Sequence, residues 1–245
     1  MRRALVLLLL CLAAPSAALE EPRLTAELEA GETVVGQPLI LRLKILVPTW
    51  MPSPPAFPTF EVPGVMVRLP ERASGPVSET VEGETWSGIQ RSYRLYPLGA
   101  GQIEIPGQTM TVTYADPDAP DPVTVDLPVA PVRFTATVPD AARGLDPLIL
   151  ATGFTLEETV SIPEELEVGG AVTRSLTARI EGTTPVLIPA LLPPLDQAGL
   201  RAYPEEPKVA EEEDRGILSG TRTEAATYLA TAEGSADLPE ISFDW

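Results

Sequence analysis

An all-β chain of two tandem antiparallel β-sandwich domains is what this sequence predicts, on three observations. Its 28 prolines among 245 residues are about twice the usual share, and proline is excluded from helix interiors and central strand positions. Apolar and polar residues alternate in short runs divided by turn signals, the pattern of half-buried strands. The pattern also returns once along the chain. Val35-Gly36-Gln37-Pro38-Leu39 is echoed by Val168-Gly169-Gly170-Ala171-Val172, and YRLYPLGAGQIEIPG (93–107) by ATYLATAEGSADLPE (226–240). One and the same shift along the chain carries Gly36 to Gly169 and Gly101 to Gly234. Two anchors that agree on one offset read as a tandem duplication.

Residues 1–18 form a separate object. Arg2 and Arg3 precede the apolar run Ala4 to Ala14, and Ser16-Ala17-Ala18 is a small-residue cleavage site, the order of a secretory signal peptide. The apolar run is shorter than the roughly 20 residues a bilayer span needs. Cleavage near Ala18 removes Cys11, the only cysteine, and the chain has no histidine. Disulfides, thiolate catalysis, Cys/His zinc sites and Ser-His-Asp triads are thereby excluded from the mature chain. Loss of Arg2 and Arg3 takes the formal charge from −18 to −20. Phosphate backbones and anionic lipid surfaces repel such a chain, so nucleic acid is a poor partner.

The first domain, 19–137, reads as strands at LTAELEA (24–30), QPLILRLKILV (37–47), VMVRLP (65–70), QRSYRLYPL (90–98), QIEIPGQTMTVTY (102–114) and VRFTATV (132–138). TWMPSPPAFPTF (49–60) holds too many prolines for a ladder and is expected as an extended polyproline-like crossing. A linker, 138–153, with room for one helical turn leads to the second domain, 154–245. By the repeat, a strand follows Gly234 and ends at Phe243-Asp244-Trp245. The closing strand of the first domain then has no counterpart before Trp245. The second sandwich is expected to be incomplete, with an open sheet edge, as a piece of a longer protein.

Candidate chemistry is sparse. Gly99-Ala100-Gly101 lacks the third glycine of a dinucleotide loop, because Glu104 stands there, and no helix can open before Pro106. It reads as a tight turn, with Gly36, Tyr93, Pro97, Gly101 and Pro106 shaping it and its flanks. DPDAPD (116–121) reads as an exposed hairpin tip, with calcium binding as the alternative. EEPKVAEEEDRG (205–216) reads as a solvated loop between strands, or else a docking surface for a basic partner. No cofactor or metal ligand set is recognised. No nucleophile elbow is present, and a carboxylate-based hydrolase has no marked pair to support it. The expected contact residues are Trp50, Met51, Phe57 and Phe60, beside the proline crossing.

Taken in order, the signal peptide, the Val-Gly-Gln-Pro strand opening, PTFEVPGV, QRSYRLYPLGAGQIEIPG, VGGAVTRSLTARIEG, LIPALLPPL, AYPEEP and TRTEAATYLATAEGSADLPEISFDW resemble the BatD, or oxygen-tolerance, family encoded in bacterial aerotolerance operons. The resemblance implies tandem immunoglobulin-like domains in the periplasm and a transmembrane helix toward the C-terminus, which this chain does not show before Trp245. It also implies partners of the von Willebrand A, tetratricopeptide-repeat and MoxR-type AAA+ ATPase classes, and it carries over no catalytic residue. The expected function is a non-enzymatic envelope scaffold for protein interaction. An adhesin or carbohydrate-binding module using the same aromatics is the alternative.

Overall fold

The computed structural model describes residues 20–70 and 72–245; the expected signal peptide, 1–18, and Cys11 lie outside them. The chain is all-β. The strands of the first domain are β1 (Arg23–Leu28), β2 (Glu32–Val34), β3 (Leu39–Val47), β4 (Val65–Arg68), β5 (Ser74–Val81), β6 (Glu84–Pro97), β7 (Gly101–Ile105), β8 (Gln108–Tyr114), β9 (Val123–Val129) and β10 (Val132–Thr137). Those of the second are β11 (Gly153–Ser161), β12 (Ala171–Glu181), β13 (Leu200–Pro204), β14 (Lys208–Asp214) and β15 (Ile217–Ala230). The expected linker carries one 3-10 turn, Asp140–Ala142.

The first domain is a sandwich. One five-stranded sheet has the order β1-β3-β6-β4, with β5 pairing the other end of β6. The facing layer holds β2-β10-β7, with β2 parallel to β10, and the hairpin β8-β9. The two layers bury their facing side chains against each other as a β-sandwich. Alternation puts Leu41, Leu43 and Ile45 of β3 inward against Ile105, Met110 and Phe134 of the other layer, all in one buried cluster.

The duplication is visible in the ladders. In the second domain β11-β12-β15-β13 form the path and β14 pairs β15, repeating the first sheet strand for strand. The shift that carries Gly36 to Gly169 also carries the two ends of β6, Glu84 and Pro97, onto the two ends of β15, Ile217 and Ala230. Small features repeat with it. The Gly36 N–H donates to the Pro97 carbonyl at 2.8 Å, and the Gly169 N–H to the Ala230 carbonyl at 2.8 Å. The hairpin turns Glu82-Gly83 and Arg215-Gly216 have positive φ at both residues, as a two-residue turn between twisted strands demands.

Three expectations are corrected. The acidic stretch 205–216 is not a loop, because β14 runs through it. The residues of β14 are exposed along its whole length, but its backbone pairs with β15 from Lys208↔Thr223 to Asp214↔Ile217. The segment after Gly234 forms no strand and runs to Trp245 as coil. Its counterpart β7 is held by β10, and among the described residues of the second domain no strand occupies the β10 position. The reading QIEIPGQTMTVTY as one strand divides at Pro106-Gly107 into β7 and β8, which pair different neighbours, since proline cannot donate to a ladder. No helix among the described residues is long and apolar enough to cross a membrane.

Candidate interaction surface

The two domains meet at the Gly36 turn and through β14. Gly36, at φ +78°, turns its carbonyl outward to accept from Thr183 Oγ1 at 2.5 Å, and an added Cβ would lie 2.8 Å from Leu187 Cδ1. Thr183 is fully buried. Glu213 of β14 pairs with Arg94 of β6 at 2.7 Å, and Glu211 with Arg68 of β4 at 3.4 Å. The acidic strand is thus held by basic residues of the neighbouring domain. Tyr96, buried next to Arg94, has its phenol pKa raised, chiefly by desolvation, with Arg94 opposing.

The Arg94–Glu213 pair is the better enclosed, with side chains 14% and 27% exposed. Arg94→Ala leaves Glu213 partly buried without its cation. It is expected to cost about 1 kcal/mol and to speed amide exchange in β14 while leaving the β3 ladder unchanged. Uniform exchange in both strands would argue against β14 being held from across the interface.

At the far end of the second sheet lies a groove of about 770 Å³. Val172 of β12 and Tyr228 of β15, both buried, line it together with Leu238 of the coil segment. Ile162, Leu166 and Val168, on the connection from β11 to β12, also line it, and they are 62%, 43% and 56% exposed. Such a run of exposed apolar side chains is a mark of an interaction site. Glu167 and Glu233 add acidic groups to the lining.

The residues expected to make partner contacts do not form one platform. Trp50 is 61% exposed. Met51 and Phe57 are half-buried against the first core, and the Arg91 guanidinium lies 4.2 Å over the Phe57 ring. Phe60 is a correction, being fully buried. Its ring meets Tyr93 edge-on with centroids 4.9 Å apart, and it is unable to touch a partner. Tyr93 secures the crossing from beneath, donating its hydroxyl to the Pro58 carbonyl at 2.7 Å. Of the turn residues, Gly36 and Pro97 share a hydrogen bond at the domain interface. Gly101 has φ +133° and stays exposed at the start of β7, and Pro106 sits exposed at the β7–β8 break.

The groove lining escapes a reading of the sequence because Ile162, Leu166 and Val168 fall outside any alternating run. The repeat holds the one signal, since it sets Val168 against Val35, which is 5% exposed in the first domain. The DPDAPD stretch is an exposed tip between β8 and β9, where the Asp118 N–H donates to Asp116 Oδ1 at 2.9 Å. No group of three or more Cys, His, Asp or Glu side chains among the described residues is placed to hold a metal ion.

Across the β7–β10 ladder, the Arg133 guanidinium hydrogen-bonds Glu104 at 2.8 and 3.1 Å. That hydrogen bond first, and charge attraction second, hold the Glu104 carboxyl below the ordinary carboxylate value. A folded-state pKa below the unfolded one gives stabilisation that is present above the unfolded value. It is lost as pH falls through the folded one. A carboxyl-carbon NMR titration is expected to show Glu104 at a lowered midpoint, restored to the ordinary value in Arg133→Gln. An unchanged midpoint in that variant would rule out the pair as the cause.

Neither a protein-family model nor a curated protein matches the chain. Its function is therefore read from its residues and their geometry.

Proposed function

We propose that the protein is a non-enzymatic interaction module of the bacterial cell envelope, exported by its N-terminal segment and akin to the oxygen-tolerance family in its order of motifs. The exposed apolar side chains of Ile162, Leu166 and Val168 along the groove of the second domain are the observation that carries this reading. Apolar side chains left in water favour burial by about 25 cal/mol for each Å² covered, and a protein partner supplies that cover. In this reading the first domain, joined through Gly36 and Arg94, braces the domain that carries the groove. The partners are envelope proteins of the von Willebrand A or tetratricopeptide-repeat class, with a MoxR-type ATPase in the same system, and the full protein is held at the inner membrane.

The test is direct binding between the purified mature chain and von Willebrand A-type and tetratricopeptide-repeat proteins encoded beside it. Saturable binding that weakens about tenfold in Leu166→Asp is the expected result. The exposed Trp50 favours one rival, a carbohydrate-binding module. Saturable glycan binding lost in Trp50→Ala, with no protein partner bound, would replace the scaffold reading.

A further inference from the structure

The ladders show how charge closes the joint between the two domains. The register of the first sheet sets Arg68 of β4 directly opposite Arg94 of β6, and like charges directly opposite one another across a strand pair are destabilising. On β14, Glu211 and Glu213 lie two residues apart, which puts them on one face of the strand. Each meets one of the two arginines, Glu211 with Arg68 at 3.4 Å and Glu213 with Arg94 at 2.7 Å. Thr184 Oγ1 steadies the Glu211 carboxylate by donating to its Oε2 at 2.8 Å. Each domain thus carries a like-charge grouping that the other domain relieves.

Little else spans the boundary. Each sheet draws its strands from one domain alone, so no ladder among the described residues joins the two. Besides the two ion pairs, the one hydrogen bond across it among those residues runs from Thr183 Oγ1 to the Gly36 carbonyl. Net charge works against the contact. Residues 19–137 hold 8 basic and 15 acidic side chains, and residues 154–245 hold 6 and 18. Both domains are negative, and bodies of like sign repel beyond the reach of any single pair. Within one chain, a small polar interface leaves relative domain motion as the default behaviour. The linker permits it. Over 139–148 the backbone bonds are local, from Ala142 to Pro139, Arg143 to Asp140 and Leu145 to Ala142, and Gly144 lies exposed among them.

We propose that Arg68, Arg94, Glu211 and Glu213 form an electrostatic latch that fixes how the second domain is set against the first. With the latch made, the two domains move as one body. With its charges unmatched, they part and swing about 139–148. The acidic stretch that reads in the sequence as a docking surface for a basic partner is therefore already engaged, by the chain's own first domain. This goes beyond the interaction-module reading and does not depend on what the module binds.

The test is the distance between spin labels on two introduced cysteines, Glu84→Cys in the first domain and Glu164→Cys in the second. Both positions are exposed, and the chain from residue 19 has no other cysteine. One narrow distance population is expected. Reversing one side of the latch, with Arg68→Glu and Arg94→Glu together, is expected to raise the open population about tenfold. Adding Glu211→Arg and Glu213→Arg to that variant is expected to restore the narrow population. Recovery on the fourfold exchange separates a charge latch from general damage to the fold. Glu211→Gln with Glu213→Gln is the milder variant, since β14 has no buried face, and it is expected to shift the distances in the same direction. A thermal melt of each variant identifies any that fails to fold.

Distances unchanged by the one-sided reversal and by the glutamine pair would overturn the proposal. So would a folded fourfold variant whose distances stay broad, or a parent chain already spread over many distances.

Discussion

Gly88→Ala is expected to destabilise the first domain by about 3 kcal/mol, the upper range for forcing a group into a packed interior. Gly88 sits in β6 opposite Leu46 of β3 and Val77 of β5. A Cβ built there would lie 1.9 Å from the Ile45 carbonyl oxygen and 2.9 Å from both the Ile45 carbonyl carbon and Leu46 Cδ2. The nearest obstacle is backbone, so no side-chain rotation relieves it. Strand β3 has to move away from β6 in the middle of the ladder that supports the first core. The neighbouring Trp86, 1% exposed, makes fluorescence a reporter of this region during denaturant unfolding. Gly75→Ala is the control, because nothing lies within 4 Å of its added Cβ. Equal midpoints for the two variants would show that the close approach is not a constraint.

The second large effect is expected from Glu224→Ala, about 3 kcal/mol from the second domain. Glu224 lies on β15 and is 7% exposed. Its Oε2 accepts the backbone N–H groups of Leu191 and Leu192 at 3.1 and 3.0 Å, and its Oε1 accepts Arg222 Nε at 2.7 Å. The segment carrying Leu191 is broken by prolines and belongs to no sheet, so its N–H groups have no neighbouring strand to receive them. One carboxylate takes that role. Its removal leaves a buried donor, a half-buried donor and a guanidinium without their acceptor. Arg91 occupies the matching position in the first copy of the repeat and holds its own proline crossing by stacking on Phe57. The two copies thus secure equivalent crossings with opposite charges. Thermal unfolding of Glu224→Ala beside an exposed control such as Glu240→Ala measures the effect; similar melting of the two would refute the account.

Strands whose apolar residues alternate, such as LILRLKILV, were legible because the side chains of one face are more deeply buried than those of the other. The strand β14 was not legible in this way. KVAEEED has no buried face, so its hydropathy resembles that of a loop. It forms because β15 supplies a ladder along its length and because Arg68 and Arg94 of the other domain neutralise its carboxylates. The repeat held that information, since β5 stands at the matching place in the first copy, but its polar residues share no motif with the acidic copy. The expected contact cluster failed in part for a related reason. Trp50 and Phe60 flank the same proline crossing, yet Tyr93 draws one of them into the core, and nothing local to 49–60 records that.

The sequence by itself determined the all-β class, the doubling of the unit and the inventory of available chemistry, with no histidine and a single cysteine near the N-terminus. These properties follow from composition and short-range periodicity, which act within a strand or a turn. The tertiary structure alone decided which apolar residues remain in water. Val35 and Val168 hold the same position in the repeat, and only the first is buried, beside the end of β10, where the Thr137 carbonyl accepts its N–H. Burial depends on what packs from elsewhere in the chain, so two valines at equivalent places in the repeat meet different surroundings.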